Sequence, residues 1–374
     1  MFSFVRNAAR AAVWLTVVSL LSGTAWAGPF TIMTQNMDEG TDYSALLTAQ
    51  SQLAFLDAVQ QTYNQIAATQ PAVRATAMAQ EISSAQPDIV ALQEASIVRT
   101  GSPPTSVTSD LLSSLLTTLD SLGQHYAPVI IGTELDAAAP SDLGFVRLTT
   151  QDVILARTDL PASQLTIANA QAHQYTAQLV VPTFVGPIPV TRGYVSADIT
   201  VDGTKFRFVT THLDTGQVTP LVQQAQVAEL LAVENASGLP VIYAGDFNSS
   251  ANDMLDPTYP VYGALTAAGL TDVWVTAHPG NPGNTCCEDP SLLNADPSLT
   301  ERIDLGLFSG PFRVDDAELL GVSAADKTPG GFWPSDHAGL LFALSVPEPA
   351  SLGLFALGLG ALGAIRRRFP NGRL

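Results

Sequence analysis

The sequence predicts a layered α/β structure in which sheets are buried beneath helices. Short apolar runs rich in β-branched residues recur along the chain, and several are apolar at every position, as strands covered on both faces are. Between them lie segments with apolar residues three and four apart, the spacing of a helix face. No stretch reads as an interdomain linker and no internal repeat is found, so residues 28–346 are expected to form one domain.

The elements follow in order. FTIMTQN (30–36) is the first strand, and residues 45–68, rich in Ala, Gln and Leu, are helical. RATAMAQEISSAQ (74–86) continues that pattern until Pro87 stops it, and DIVALQE (88–94) is the next strand. SDLLSSLLTTLDSLG carries a Leu stripe between a Ser109 cap and a Gly123 stop. DVILAR, YVSADITV and KFRFVTTHL are strands, TPLVQQAQVAELLAVENASG is a helix, and PVIYAGDF, RIDLGLF and GLLFALSV complete the set. The leucine stripes read as core packing.

The two ends read differently from the body. Arg6 and Arg10 precede an apolar run at 11–21, and Ala25-Trp26-Ala27 is an A-x-A cleavage site, so residues 1–27 read as a secretory signal peptide. At the other end, Pro347-Glu348-Pro349 introduces an apolar stretch at 352–365 closed by Arg366, Arg367 and Arg368. That stretch is short of the roughly 20 residues of a spanning helix, a gap that tilt and bilayer thinning narrow. The arrangement of residues 347–374 resembles the PEP-CTERM sorting signal of Gram-negative bacteria. The resemblance implies export, a transient membrane tether and processing by an exosortase-type machinery, with the protein ending in the cell envelope or outside the cell.

Without its ends the chain carries 10 Lys and Arg against 33 Asp and Glu, a net charge near −23. Such a surface repels nucleic acid and anionic membrane at long range, so no stable nucleic-acid complex is expected, while divalent cations are attracted. A monomer is expected. The adjacent Cys286 and Cys287 cannot join distant elements; they form a vicinal disulfide or remain two thiols, and the sequence leaves both open.

Polar residues at six strand ends are more than a packed sandwich needs. Asn36 follows TIMTQ, Glu94 follows DIVALQ, and His212 follows FVTT; Asp246 and Asn248 lie in GDFNSS, Asp304 in ERIDLGLF, and Asp336 and His337 in WPSDHAGLL. In an extended segment residues two apart point to the same side, so Asp246 and Asn248 emerge together. Each alone has a structural explanation, as a turn residue, a cap or a satisfied core histidine. Asp246 in particular is a candidate cap for a helix starting near Ser249.

Together, TQN, PDIVALQE, THLD, GDFNS, RID and SDH resemble the endonuclease/exonuclease/phosphatase superfamily of metal-dependent phosphodiesterases, over residues 31–345. The resemblance implies a DNase I-like four-layer α/β/β/α sandwich, two mixed β-sheets flanked by helices, with the site where strand ends converge. It implies Mg²⁺, or Mn²⁺ or Ca²⁺, as cofactor and a phosphate ester as substrate. Carried over residue by residue, Glu94 is the principal metal ligand with Asn36 beside it and Asp336 contributing. His337 is the general base, Asp304 holds its imidazole, Asp246 and Asn248 orient water and phosphate oxygens, and His212 binds a phosphoryl oxygen or assists the leaving group. Arg192 in VTRGYV reads as a surface arginine, and His125, His173 and His278 as loop or surface residues. The 58 residues from Asn36 to Glu94 make the helical stretch 45–80 look inserted, either to shape substrate access or to cover a sheet. The alternative is an inactive, surface-displayed binding module on the same fold; loss of a ligand or base would favour it, and every principal position is present.

Overall fold

The structure, a computed structural model, describes residues 26–348 apart from 185 and 218 (and apart from the side chains at 234, 235 and 237). The signal peptide, but for its last two residues, and the sorting tail beyond Glu348 lie outside the described residues, as does any spanning segment at 352–365. Among the described residues no helix is long and apolar enough to cross a membrane.

Two mixed sheets face each other. The first runs β15 (Arg313–Leu320), β16 (Gly339–Ser345), β1 (Phe30–Asn36), β2 (Ile89–Gln93), β6 (Gly144–Arg157), β3 (Ile97–Gly101) and β4 (Pro104–Asp110), with β5 (Tyr126–Ser141) on the other edge of β6. The second runs β13 (Thr271–Asp272), β14 (Asp304–Ser309), β12 (Val241–Asp246), β11 (Thr204–His212), β10 (Gly193–Val201) and β7 (Leu165–Gln174). The pairs β1–β2 and β11–β12 are parallel, and both of their long crossovers are helical. A separate hairpin joins β8 (Leu179–Thr183) to β9 (Gly186–Val190).

The strands read as continuous apolar runs because both faces are buried. In β2, Ile89 and Ala91 face the sandwich interior, where they meet Ile199, Phe206, Phe208 and Ile242 of the opposing sheet. Val90 and Leu92 point outward against α3 (Pro71–Ala85) and α4 (Leu111–Ser121), packing on Ala75, Met78, Ile82 and Leu115. On the far side, Val209, Tyr243, Leu305 and Leu307 pack against α5 (Pro220–Ser237) and α6 (Tyr259–Ala267) through Val227, Leu230 and Leu265. Helix, sheet, sheet and helix are thus the four layers expected. A short helix, α7 (Val273–Ala277), closes the second sheet's edge.

Several local expectations are corrected. The stretch 45–68 is two helices, α1 (Ser44–Thr48) and α2 (Gln52–Ala68), the second capped by Ser51 Oγ accepting from the Ala54 amide. The cap of α4 is Asp110, not Ser109: Asp110 is extended and its carboxylate accepts from the Ser113 amide at 2.9 Å. No helix starts near Ser249, so Asp246 caps none; the chain loops from Phe247 to α6. Within the 45–80 stretch, α3 covers the first sheet, and α1 and α2 line a cleft that also contains Glu94. The strands β3, β4, β5, β7, β8, β9, β13 and β15 carry too little hydrophobic alternation to be read from sequence.

Candidate active site

Sheet register places the polar residues in one row. Gly193 pairs with His212, His212 with Asp246, and Asp246 with Asp304, across four neighbouring strands of the second sheet. In the first sheet Asn36 pairs with Gln93, so Glu94 emerges beside Asn36 at the same end. Because the sheets are stacked face to face, the two rows converge. Gly245 is required by close approach: a Cβ there would strike the Thr211 carbonyl oxygen of β11. Asp38, Glu94 and Asn248 adopt left-handed backbone at φ 55°, 56° and 46° without being glycines. Strain of this kind persists where surrounding structure imposes it, and here three instances ring one site.

Asp246 is the hub. Its Oδ2 accepts from Asn36 Nδ2 at 3.0 Å, lies 3.4 Å from His212 Nε2 and 4.0 Å from His337 Nε2, while its Oδ1 accepts from the Asn248 amide at 2.8 Å. Burial, and then the charge of Asp304, push its carboxyl up to about 7. His337 Nδ1 meets Asp304 Oδ2 at 2.7 Å, with Asp304 fully buried. Burial alone would lower the His337 imidazole, but Asp304, Asp336 and Asp246 outweigh it and hold it well above the ordinary histidine value. His212 behaves oppositely: burial, then the Arg192 charge, keep it well below that value. Its Nδ1 accepts from Arg192 Nη1 at 2.7 Å, so the proton sits on Nε2, which faces Asp246 and, at 3.9 Å, Glu94.

Arg192 is therefore no surface residue. Besides His212 it donates to Glu134 Oε2 at 3.0 Å, and Asp214 lies 3.8 Å from its Nε. Glu134 also accepts from the Gly193 amide at 3.0 Å, and burial, then the charge of Glu134, push the carboxyl of the fully buried Asp152 well above the ordinary carboxylate range. Glu134 and Asp152 were invisible in sequence because they stand mid-strand in β5 and β6 and match no motif. The VTRGYV string was the only available signal for this group, and its burial is a product of sheet packing. Of the other histidines, His125 and His173 are exposed, while His278 is half-buried and structural, its Nε2 2.6 Å from the Ala317 carbonyl oxygen.

Asn36 is engaged at both atoms of its side-chain amide. Its amide nitrogen donates to Glu94 Oε1 at 3.3 Å and to Asp246, while its carbonyl oxygen accepts from the Asp38 amide at 2.9 Å, so in this geometry it positions Glu94. Asn248 Nδ2 is likewise engaged, donating to the Leu213 carbonyl at 3.0 Å. Among the described residues, possible ligand atoms cluster within 4.8 Å in Asp246–Asp304–His337 and in Glu134–Asp152–His212, both buried, and in Cys286–Cys287–His337, whose sulfurs are joined to each other. Glu94 and Asp336 belong to none of these groups. They are nevertheless the open carboxylates: their side chains are 22% and 30% exposed, against 2% or less for His212, Asp246 and Asp304. Glu94 raises Asp38, Glu39 and Asp336 through its charge, secondary to burial in each. Four carboxylates in one field, two of them reached by solvent, offer a hard divalent cation oxygen ligands and room to retain water, so this donor set fits such an ion.

The vicinal disulfide Cys286–Cys287 is formed, with Cys286 buried and Cys287 exposed. Its loop clamps the segment that carries Asp336 and His337 through backbone bonds: Glu288 donates to Asp336 at 2.9 Å and Ala338 to Thr285 at 2.7 Å.

Residues 62–337 match the endonuclease/exonuclease/phosphatase family and residues 345–368 the PEP-CTERM protein-sorting motif. No curated protein matches the chain. Among solved structures it is similar to an endonuclease/exonuclease/phosphatase family protein from Bacteroides thetaiotaomicron, at 18% identity and a TM-score of 0.54 over 86% of this chain and 99% of that one. It is similar to D. rerio TDP2 complexed with single strand DNA product, at 18% identity and a TM-score of 0.52 over 85% and 99%. A mannosyl-6-phosphatase of B. thetaiotaomicron gives 18% identity and a TM-score of 0.50 over 84% and 99%.

Proposed function

Since the chain belongs to the endonuclease/exonuclease/phosphatase family, we propose that it is an exported, divalent-metal-dependent phosphoric ester hydrolase. The observation that carries this reading is the meeting, at the aligned ends of both sheets, of a buried proton-handling unit and an open carboxylate pair. Asp304–His337–Asp246 is the first and Glu94–Asp336 the second. The sorting motif supports export to the envelope of a Gram-negative bacterium.

Glu94 and Asp336 would hold the cation, preferably Mg²⁺, which supplies charge neutralisation to the phosphate ester. Asn36 keeps Glu94 and Asp246 in place by donating to both. His337 takes the proton of the attacking water at Nε2, the atom turned toward Asp246 and Asp336, while Asp304 fixes the tautomer through Nδ1. In the free carboxylate field that imidazole is held well above the ordinary histidine value, and offsetting part of the surrounding negative charge would favour its action as a base. His212, neutral and with its proton on Nε2, donates to a phosphoryl or leaving oxygen; Arg192 keeps that tautomer in place. Asp246, near 7, passes protons between the two histidines or orients the water.

The test is hydrolysis of bis-p-nitrophenyl phosphate, plasmid DNA, RNA and sphingomyelin by the purified protein with Mg²⁺, Mn²⁺ or Ca²⁺, before and after chelation. Glu94→Gln should retain the fold and lose hydrolysis. Full turnover in excess EDTA would remove the metal from this reading.

A further inference from the structure

The reactive end of the molecule opens into a long apolar cleft. Its volume is about 290 Å³, at the lower end of small-molecule sites. Its floor is β5 and β6, one wall is α1 and α2, and the other is the β8–β9 hairpin, which belongs to neither large sheet. The inner wall is buried, with Phe55 and Val59 at 3% and 4% exposure, and Leu47 stands open at the mouth at 61%. The hairpin turns a single aliphatic face to the cleft: the cross-strand pairs Leu179–Val190 and Val181–Ile188 line it, and the alternate residues point to solvent. A two-stranded hairpin has little stability of its own, so an apolar face of this kind gains from having something packed against it.

The polar end of the same cleft is the site itself. Glu94, Glu39, Glu134, Asp214 and Arg192 line it, and Arg192 is the only cation among its lining residues, already held by Glu134 and His212. A polyanionic strand would meet four carboxylates and no free positive charge there. An uncharged chain attached to one phosphate would meet the reactive residues at its head and aliphatic side chains along its length. We propose that the cleft receives the aliphatic substituent of the substrate, which makes the preferred substrate an amphiphilic phosphate ester carrying one long alkyl or acyl chain. This rests on the phosphoester-hydrolase reading and adds the substrate class. The sequence elements responsible are α1 and α2 together with the β8–β9 hairpin.

The test is a homologous series of alkyl p-nitrophenyl phosphodiesters, methyl to dodecyl, assayed below their micellar concentrations with the full chain. Binding of butyl, octyl and dodecyl phosphate is measured beside it by calorimetry. The expected result is a rise in kcat/KM of up to about fourfold per added methylene until the cleft is filled. Ile188→Trp, which fills the cleft from the hairpin, should move the optimum to shorter chains, and Ile188→Asp should flatten the series. Both should leave the methyl ester unchanged, because Ile188 lies outside the proton-handling and carboxylate groups. A flat series with the methyl ester hydrolysed would overturn the cleft assignment and leave the hydrolase reading intact. If no ester is turned over, the hydrolase reading fails, and calorimetry still decides the cleft: chain-dependent affinity supports an aliphatic ligand, and equal affinities overturn it.

Discussion

At the residue scale, Arg192 has the largest difference between its sequence reading and its place in the structure. A surface arginine can be replaced within about 0.5 kcal/mol. Arg192 instead pairs with Glu134, which is 3% exposed, and holds His212 Nδ1. Arg192→Met leaves Glu134 buried without its partner, a loss of about 3–5 kcal/mol by analogy with other broken buried pairs. Thermal unfolding should show that loss together with a fall in kcat, whereas a change within a degree or two in melting temperature would return Arg192 to the surface class. His337 and Asp304 form the other residue-level unit. His337→Ala should cost several orders of magnitude in kcat, and adding Asp304→Asn should cost little more, because groups acting as a unit are not additive. Asp304 is the strongest of the charges raising the imidazole, so Asp304→Asn alone should move the acid limb of the pH–rate profile to lower pH. An unmoved limb would separate Asp304 from the titrating base.

At the element scale, α3 carries a carboxylate that the packing does not satisfy. Both oxygens of Glu81 are buried without a hydrogen-bond partner although its stem reaches solvent, and burial, then Asp326, push the carboxyl up to about 8. The folded state therefore holds this proton more tightly than the unfolded state does. The group favours the folded state below its ordinary value near 4.5, and that advantage is lost as pH rises through about 8. Glu81→Gln should accordingly raise the melting temperature at pH 8.5 and change it little at pH 5; an equal gain at both would mean that packing, not ionisation, is responsible. The helices themselves were legible from their Leu and Ala spacing, but their first residues were not. Ser109 and Asp110 are both good caps, and only the backbone decides that Asp110 is the one turned toward the Ser113 amide.

At the scale of the whole molecule, the two ends leave together. Ala27 donates to the Val346 carbonyl at 2.9 Å and Trp26 pairs with Pro347, at the Phe30 end of β1. The site stands at the Asn36 end, about 20 Å away along seven residues of strand. The last core strand, β16, finishes at Ser345, and Pro347, which follows, has no amide to donate to a further ladder bond. Residues 28–346 alone should fold cooperatively, remain soluble and retain full activity, as circular dichroism melting and the phosphodiester assay would report. An insoluble or inactive fragment beside a sound full chain would make the tail part of the fold and withdraw the sorting role from it.

The sequence by itself determined a layered α/β structure, through strands apolar on both faces and helices with one apolar stripe, because burial imposes a period that composition records; the number of layers came only with the family resemblance. It also singled out Asn36, Glu94, His212, Asp246, Asp304 and His337, each a polar residue, at one edge of an apolar run, that the core has no use for. Tertiary structure alone decided which of these touch. Asp246 lies between two histidines because strand register aligns β11, β12 and β14, and register is a pairing between segments distant in sequence. It alone decided that Glu134, Asp152 and Arg192 belong to the site, and that α1, α2 and a stray hairpin enclose an apolar cleft beside it. Local pattern carries no record of such meetings, because a side chain's exposure and charge environment are set by what the rest of the chain brings against it.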